Sequence, residues 1–131
     1  MGSIAVHEFV SLDGVDEDPS WTADFGWDPA MGETLAQITG AADSILLGRR
    51  TFEMFAPAWR ERTPQDDPGA EFFNDSAKFV VTSTNTSVGS QWQNSTVLGT
   101  YSAPLVEELK SHHDLYVSGS GTGAAARICD I

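Results

Sequence analysis

The order of hydrophobic and polar residues predicts strands that alternate with helices along the chain. Short apolar runs with β-branched residues favour strands, whereas apolar residues three or four positions apart form one face of a helix. Apolar residues from Met31 to Ala42 recur at spacings of 4, 3 and 4, after the favourable helix start Asp28-Pro29. We predict strands at residues 4–12, 44–47, 79–84, 96–98 and 115–118, and helices from residue 28, over residues 49–55 and over residues 102–110.

Two segments between these elements are predicted to be loops. Asp13-Gly14 favours a turn after the first strand, because glycine accepts a positive φ and aspartate can bond the local backbone. Residues 14–27 are predicted to form a long irregular loop with three aromatic residues, and long loops in compact domains are often functional. Residues 57–68 are polar and contain prolines, so we predict an exposed connection there.

The alternation of strands and helices indicates an α/β fold, because crossover helices connect parallel strands. We predict a mostly parallel central sheet in a single domain, for which 131 residues are sufficient. Hydrophobic residues make up 40% of the chain and charged residues 20%, as in folded proteins rather than disordered ones. Ligands of such sheets collect outside the carboxyl ends of the strands, so the residues after each strand are the first site candidates.

The chain is acidic, with a formal charge of −12 at pH 7. Nucleic-acid binders gain affinity from basic side chains that displace counterions, so this charge argues against a general nucleic-acid binder. Of the 19 acidic residues, 15 lie in the first 75 residues. A solvated surface explains this acidic half better than an acidic recognition patch does.

The sequence predicts a cytoplasmic protein without a metal site. No apolar run approaches the ~20 residues that cross a bilayer, and the N-terminus lacks the pattern of a secretory signal. The single cysteine, Cys129, cannot form an internal disulfide, which fits a reducing compartment. The three histidines, His7, His112 and His113, show no metal-ligand spacing with a cysteine or an acid.

Three of the predicted strands end in residues suited to phosphate groups. The second strand runs into an arginine pair at a helix start, where free N–H groups and the helix dipole favour an anion. The third runs into hydroxyl side chains, and the last into a glycine-rich turn that lets the backbone approach an anion. Each pattern also occurs without a ligand, but their succession favours a phosphate site. The residues are Gly48, Arg49, Arg50 and Thr51, then Thr82 and Ser83, and finally Gly119, Ser120, Gly121 and Thr122.

Two carboxylates and a tryptophan are candidates for the substrate side. Asp13 could bond a substrate ring or pass a proton, and a turn-capping role is the alternative. Asp28 could face a pocket, although helix capping is the ordinary role of an aspartate at this place. Trp27 could stack on a ring or serve in packing.

Four segments of the chain, taken in order, carry a family resemblance: residues 11–14 (SLDG), 47–53 (LGRRTFE), 78–83 (KFVVTS) and 115–122 (LYVSGSGT). Together they resemble the dihydrofolate reductase-like fold and, within it, the RibD C-terminal reductase-like family. The resemblance implies a three-layer domain and an NADPH-dependent reductase without the glycine fingerprint of Rossmann folds. The implied substrate is a small heterocycle, similar to dihydrofolate or to a pyrimidine of riboflavin biosynthesis, and the implied assembly is a homodimer.

By position, the resemblance also implies roles for the phosphate candidates. Arg49 would meet the adenosine 2′-phosphate, and Arg50 and Thr51 would meet the phosphates near the helix start. Thr82 and Ser83 would border the adenosine half of the cofactor, and residues 119–122 would cradle the pyrophosphate.

On the substrate side, the resemblance places Asp13 near the nicotinamide and the substrate, with Ser11 and Trp27 as further substrate contacts. Hydride would pass from the nicotinamide to a C=N or C=O centre while the protein orients the two rings. Asp13 and Asp28 are the candidate catalytic residues, and water is the other candidate source of the proton.

The last residues differ from the family pattern. Relatives continue after the glycine turn with a helix and further strands, whereas residues 123–131 begin like that helix and then stop. We therefore expect a domain, residues 1–131, that is incomplete at its C-terminus and leaves its last strand as an edge. An inactive remnant that binds nucleotide weakly or acts as an interaction piece is the alternative to a working reductase, and another phosphorylated ligand or a flavin is a third hypothesis.

Overall fold

Strands and helices alternate around a central sheet, as the pattern predicts. The computed structural model describes residues 2–15, 19–84 and 87–118. Its strands are β1 (Ile4–His7), β2 (Ser44–Gly48), β3 (Ala77–Val81), β4 (Ser95–Gly99) and β5 (Leu115–Ser118). Its α-helices are α1 (Pro29–Gly40), α2 (Arg49–Trp59), α3 (Ala70–Asp75), α4 (Val88–Gln91) and α5 (Ala103–His112), and Pro19–Phe25 form a 3₁₀ helix.

The sheet has the strand order β1-β5-β2-β3-β4, and all four pairings between these strands are parallel. The prediction of an α/β fold with a parallel central sheet is therefore confirmed. His7 pairs with Ser118, and Gly48 pairs with Val81, at the ends of their strands. The ends of β1, β5, β2 and β3 thus lie along one edge of the sheet, which we call the carboxyl edge.

Helices on both faces of the sheet complete three layers. On one face, Phe52 of α2 and Phe73 of α3 belong to one core cluster with Tyr116 of β5, and α1 packs against the same core. On the other face, Val106 of α5 packs with Leu46 and other apolar strand residues. These core side chains are almost completely buried, and burial of apolar surface is the main favourable term in folding.

Two strands are shorter than predicted. β1 ends at His7, and the following residues form the predicted turn, in which the Gly14 amide donates to the Ser11 carbonyl at 3.0 Å. Gly14 has a φ of +89°, a conformation that suits glycine. β3 ends at Val81 because its pairing with β4 shifts register there.

The structure also contains helical segments that the apolar pattern missed. α3 has six residues and α4 has four, which is less than two turns and too short for a helical period to show. The predicted loop over residues 14–27 contains the 3₁₀ helix. α2 continues through Pro57 to Trp59, because Trp59 packs on the core, so the exposed connection starts later than predicted.

The described residues limit two further expectations. Residues 119–131, which carry the predicted glycine turn and the expected incomplete ending, lie outside them. Within the described ranges, no helix is long and apolar enough to cross a membrane.

Lys78 of β3 is a fully buried lysine that joins the sheet to the end of α3. Its Nζ donates hydrogen bonds to the carbonyl oxygens of Phe73, Asn74 and Ser76 at 2.8, 3.0 and 2.9 Å. The ammonium also lies 4.4 Å from the ring centroid of Trp92, within the range of a cation–π contact. Burial lowers the pKa of Lys78 to about 8, against the opposing attraction of Asp75.

We expect Lys78→Met to lower the free energy of unfolding by about 1–3 kcal/mol, because three carbonyl oxygens at the end of α3 lose their donor. The measurement is the urea unfolding midpoint at pH 7. Lys110→Met, which removes the other lysine of the chain, is the matched control. Equal midpoints for the two variants would contradict the structural role of Lys78.

Candidate functional site

Most of the predicted site residues that the structure describes follow strand ends at the carboxyl edge. The start of α2 follows β2 directly, Thr82 and Ser83 follow β3, and the turn with Asp13 lies a few residues after β1. Gly119, Ser120, Gly121 and Thr122 lie outside the described residues, directly after β5. The parallel register accounts for this convergence, because each strand delivers its following residues to the same edge.

The start of α2 differs from the starts of α1 and α5. Asp28 caps α1 through Oδ1, which accepts from the Ala30 amide at 2.8 Å, and Ser102 caps α5 by accepting from Leu105. α2 has Gly48 at this place, and no side chain of the described residues caps its first amides. Among the described residues, a Cβ built on Gly48 meets nothing within 4 Å, so none of them fills the space beside this helix start. N–H groups and the helix dipole here suit an anion.

Two arginines lie at the start of α2, and they differ in whether an acidic side chain pairs with them. Arg49 forms an ion pair with Glu53 one turn later, with Nη1 3.1 Å from Oε2, and both side chains are about half exposed. Arg50 is exposed, and within the described part of the chain no acidic group lies within ion-pair distance of it. Arg49, Arg50 and Glu53 together therefore make the start of α2 locally positive, although the protein as a whole is acidic.

The hydroxyl residues after β3 differ in exposure. Thr82 is 7% exposed, and its Oγ1 accepts from the Thr84 amide at 3.2 Å. Ser83 is exposed at the carboxyl edge. Ser83 is thus the more accessible of these two predicted cofactor contacts.

The turn after β1 holds Asp13 through Ser11. The Ser11 hydroxyl donates to Asp13 Oδ1 and accepts from the Val15 amide at 2.9 Å. The hydrogen bond from Ser11 is the main cause of a lowered pKa of Asp13, which favours its ionised form. Asp13 has the turn-capping contacts that the sequence offered as the alternative, and its substrate role stays a prediction.

A small aromatic cavity lies between the end of β1, the 3₁₀ helix and the start of α1. It has a volume of about 280 Å³, and its wall is largely apolar. The ring centroids of Phe9 and Trp27 are 6.5 Å apart in an edge-to-face contact, and Trp27 is 56% exposed. The lining residues are Phe9, Thr22, Ala23, Gly26, Trp27 and Met31. Of these, the sequence pointed only to Trp27.

Sequence reasoning missed a polar pair beside this cavity. His7 Nδ1 and the Tyr116 hydroxyl are 3.0 Å apart across β1 and β5. Burial lowers the pKa of His7 and raises the pKa of Tyr116 to about 12. The sequence does show a polar residue in each of these two apolar strands. Their contact, however, can be inferred only once the strand order is known.

A larger cleft of about 470 Å³ lies at the opposite edge of the sheet. Its arginines, Arg60 and Arg62, form ion pairs with Glu61 and Asp67. Because those charges are compensated and the cleft lies away from the strand ends that carry the other candidates, we place no site there. The described residues also contain no group of three or more metal-ligating side chains.

The contacts of Asp28 predict a measurable capping role. Asp28→Ala should lower the free energy of unfolding by about 1 kcal/mol, while Asp28→Ser should retain most of it, because serine also caps helices. The measurement is the urea unfolding midpoint. Glu33→Ala on the exposed side of α1 is the control, and an Ala variant at Asp28 no less stable than this control would exclude the role.

Comparison with known families agrees with the observed architecture. A family model described as "RibD C-terminal domain" matches residues 3–128, which is nearly the whole chain. The parallel sheet with helices on both faces is consistent with the dihydrofolate reductase-like fold implied by the sequence motifs. Comparison with curated proteins gave no match. The chain belongs to the RibD C-terminal domain family, which indicates a reductase-like domain of the kind found in riboflavin biosynthesis.

Proposed function

We propose that this protein is an NADPH-dependent reductase that transfers hydride to a small heterocyclic substrate. The observation that carries the proposal is the start of α2, which combines amides without a side-chain cap, two arginines and space at the carboxyl edge that no described residue fills. Membership of a reductase-like family supports the reaction class. The separate aromatic cavity supports a flat, largely apolar substrate.

The start of α2 fits a phosphate better than the other arginines of the described chain do. Arg60 and Arg62 each have an acidic partner, whereas of Arg49 and Arg50 only Arg49 has one, Glu53, among the described residues. A guanidinium can bind phosphate through two parallel hydrogen bonds, and the amides of a helix start add further donors. Arg49 is the proposed ligand of the 2′-phosphate, and Arg50 and Thr51 are the proposed ligands of phosphate near the helix.

The aromatic cavity suits the substrate of the proposed reaction. NADPH, when bound, supplies the hydride. Phe9 and Trp27 provide ring faces and edges, and Met31 adds a flexible apolar side chain to the same wall. Such a wall orients a planar ring, which lowers the entropy cost of bringing two reacting centres together.

The candidate carboxylates divide into two local roles. Asp28 accepts the first amide hydrogen bond of α1, and Asp13 accepts from Ser11 in the turn. The lowered pKa of Asp13 makes it a poor proton donor near neutral pH. Water is therefore the simplest source of the proton that completes the reduction, with Asp13 as a group that could orient it.

We expect Arg49→Ala to weaken NADPH binding by about 10-fold or more and to leave NADH binding nearly unchanged, because one charge-assisted phosphate contact is lost. Fluorescence titration of the purified protein measures both affinities. Arg60→Ala, at the opposite end of α2, is the matched control. The assignment of Arg49 fails if the two variants bind NADPH equally well.

Removal of the carboxylate that competes for Arg49 should have the opposite effect. We expect Glu53→Gln to tighten NADPH binding by about two- to five-fold, the range that an exposed ion pair of this kind can contribute. The control is Glu61→Gln, which removes the partner of Arg60. Weaker binding in Glu53→Gln than in this control would contradict the competition.

Turnover distinguishes the reductase from the inactive alternative. Substrate-dependent loss of NADPH absorbance with dihydrofolate or a ribosylaminopyrimidine would support the proposal. NADPH binding without turnover on either substrate class would favour a remnant that binds nucleotide. Absence of NADPH binding would overturn the proposed cofactor.

A further inference from the structure

His7 ends β1 at the carboxyl edge, beside the aromatic cavity. Its ring lies 5.0 Å from Phe9 in an edge-to-face contact, and Phe9 lies against Trp27. Phe9 and Trp27 both line the cavity. His7 is partly exposed, whereas its partner Tyr116 is 1% exposed. The imidazole of His7 is therefore the more accessible member of the His7–Tyr116 pair.

The contact between His7 and Tyr116 determines which ring nitrogen of His7 carries the proton. Burial raises the pKa of the Tyr116 phenol to about 12 and so keeps the phenol protonated. A buried hydroxyl needs an acceptor, and His7 Nδ1, 3.0 Å away, offers one to the phenol proton.

The tautomer of His7 follows from this contact. Burial lowers the pKa of His7, so the ring is neutral at pH 7. When Nδ1 of a neutral imidazole accepts a hydrogen bond, Nε2 carries the proton. His7 thus has a fixed Nε2–H donor.

The two candidate carboxylates of the substrate side are acceptors and do not supply a donor. The candidate carboxylates Asp13 and Asp28 are bound by local donors, and the cavity wall is largely apolar. A carbonyl or ring nitrogen that receives hydride on its neighbouring carbon develops negative charge, which a positioned hydrogen-bond donor stabilises.

We propose that His7 is a substrate-binding residue whose Nε2–H donates a hydrogen bond to the carbonyl oxygen or ring nitrogen of a planar heterocycle in the aromatic cavity. Tyr116 is the positioning residue that holds this tautomer. The inference rests on the proposed function for the site of the substrate, but not on the identity of the cofactor. His7 keeps its proton throughout, so no bond is broken in this contact.

The first test is spectroscopic. Two-bond ¹H–¹⁵N correlation spectra of the full chain should show a pyridine-type Nδ1 and a pyrrole-type Nε2 for His7. Tyr116→Phe should lose this fixed pattern, because the donor to Nδ1 is removed. A wild-type His7 with its proton on Nδ1 would overturn the proposal.

The second test uses pterin as the probe, with and without NADP⁺. Pterin should shift the His7 Nε2 signal, and His7→Leu should bind pterin about 5- to 10-fold more weakly, the loss expected for one hydrogen bond. His7→Gln, which keeps an N–H donor, should recover part of the affinity. His112→Leu, at the exposed end of α5, is the control and should bind pterin normally.

The outcomes separate this inference from the proposed function. Absence of any change in the His7 signals on addition of pterin, or equal pterin affinity in His7→Leu and His112→Leu, overturns the role of His7. If His7→Leu does not fold, the spectra of wild type and Tyr116→Phe still decide. Failure of NADPH binding together with His7-dependent pterin binding overturns the cofactor and supports His7.

Discussion

The pairing of β5 between β1 and β2 is the constraint on which the rest of the site depends. Leu115 pairs with Ile4 on one side and with Ser44 on the other, so one central strand aligns segments from both ends of the described chain. This alignment brings His7 to Tyr116, 109 positions later in sequence. It also places the start of α2 at the same edge as the end of β1. A shift of β5 by one residue would turn Tyr116 to the other face of the sheet and break the contact with His7.

The helix starts at the carboxyl edge differ in capping: side chains cap α1 and α5, whereas none of the described side chains caps α2. The Asp28 and Ser102 side chains satisfy amides of α1 and α5, and such caps contribute about 1 kcal/mol each to stability. α2 lacks this contribution because Gly48, at its start, has no side chain that could act as a cap. Packing of Phe52 and Ala56 on the core holds α2 in place instead. The helix start can then keep its amides for a ligand without losing its position.

The features that the sequence predicted are those encoded over short distances. α1 combines a cap, an N-terminal proline and a long apolar period, and β5 is a single apolar run, so both were found with nearly correct bounds. The arginine pair and the hydroxyls after β3 were found because they directly follow strands. The aromatic cavity and the His7–Tyr116 pair join segments that are distant in sequence, and only the strand order brings them together. The short helices α3 and α4 depend on tertiary contacts, such as the bonds from Lys78 to the end of α3.

The two candidate aspartates of this acidic protein are occupied by hydrogen bonds within their own segments. Asp13 and Asp28 are acceptors for hydroxyl and amide groups of their own segments. The donors proposed for a ligand are other groups of the carboxyl edge, namely the α2 amides, the arginine side chains and His7. The His7–Tyr116 pair has a cost, because the two side chains bring polar atoms into the core, and their mutual hydrogen bond offsets that cost. Because the pair is neutral, it avoids the larger penalty of a buried charge and can act beside Phe9 and Trp27, where a charged group would be unfavourable.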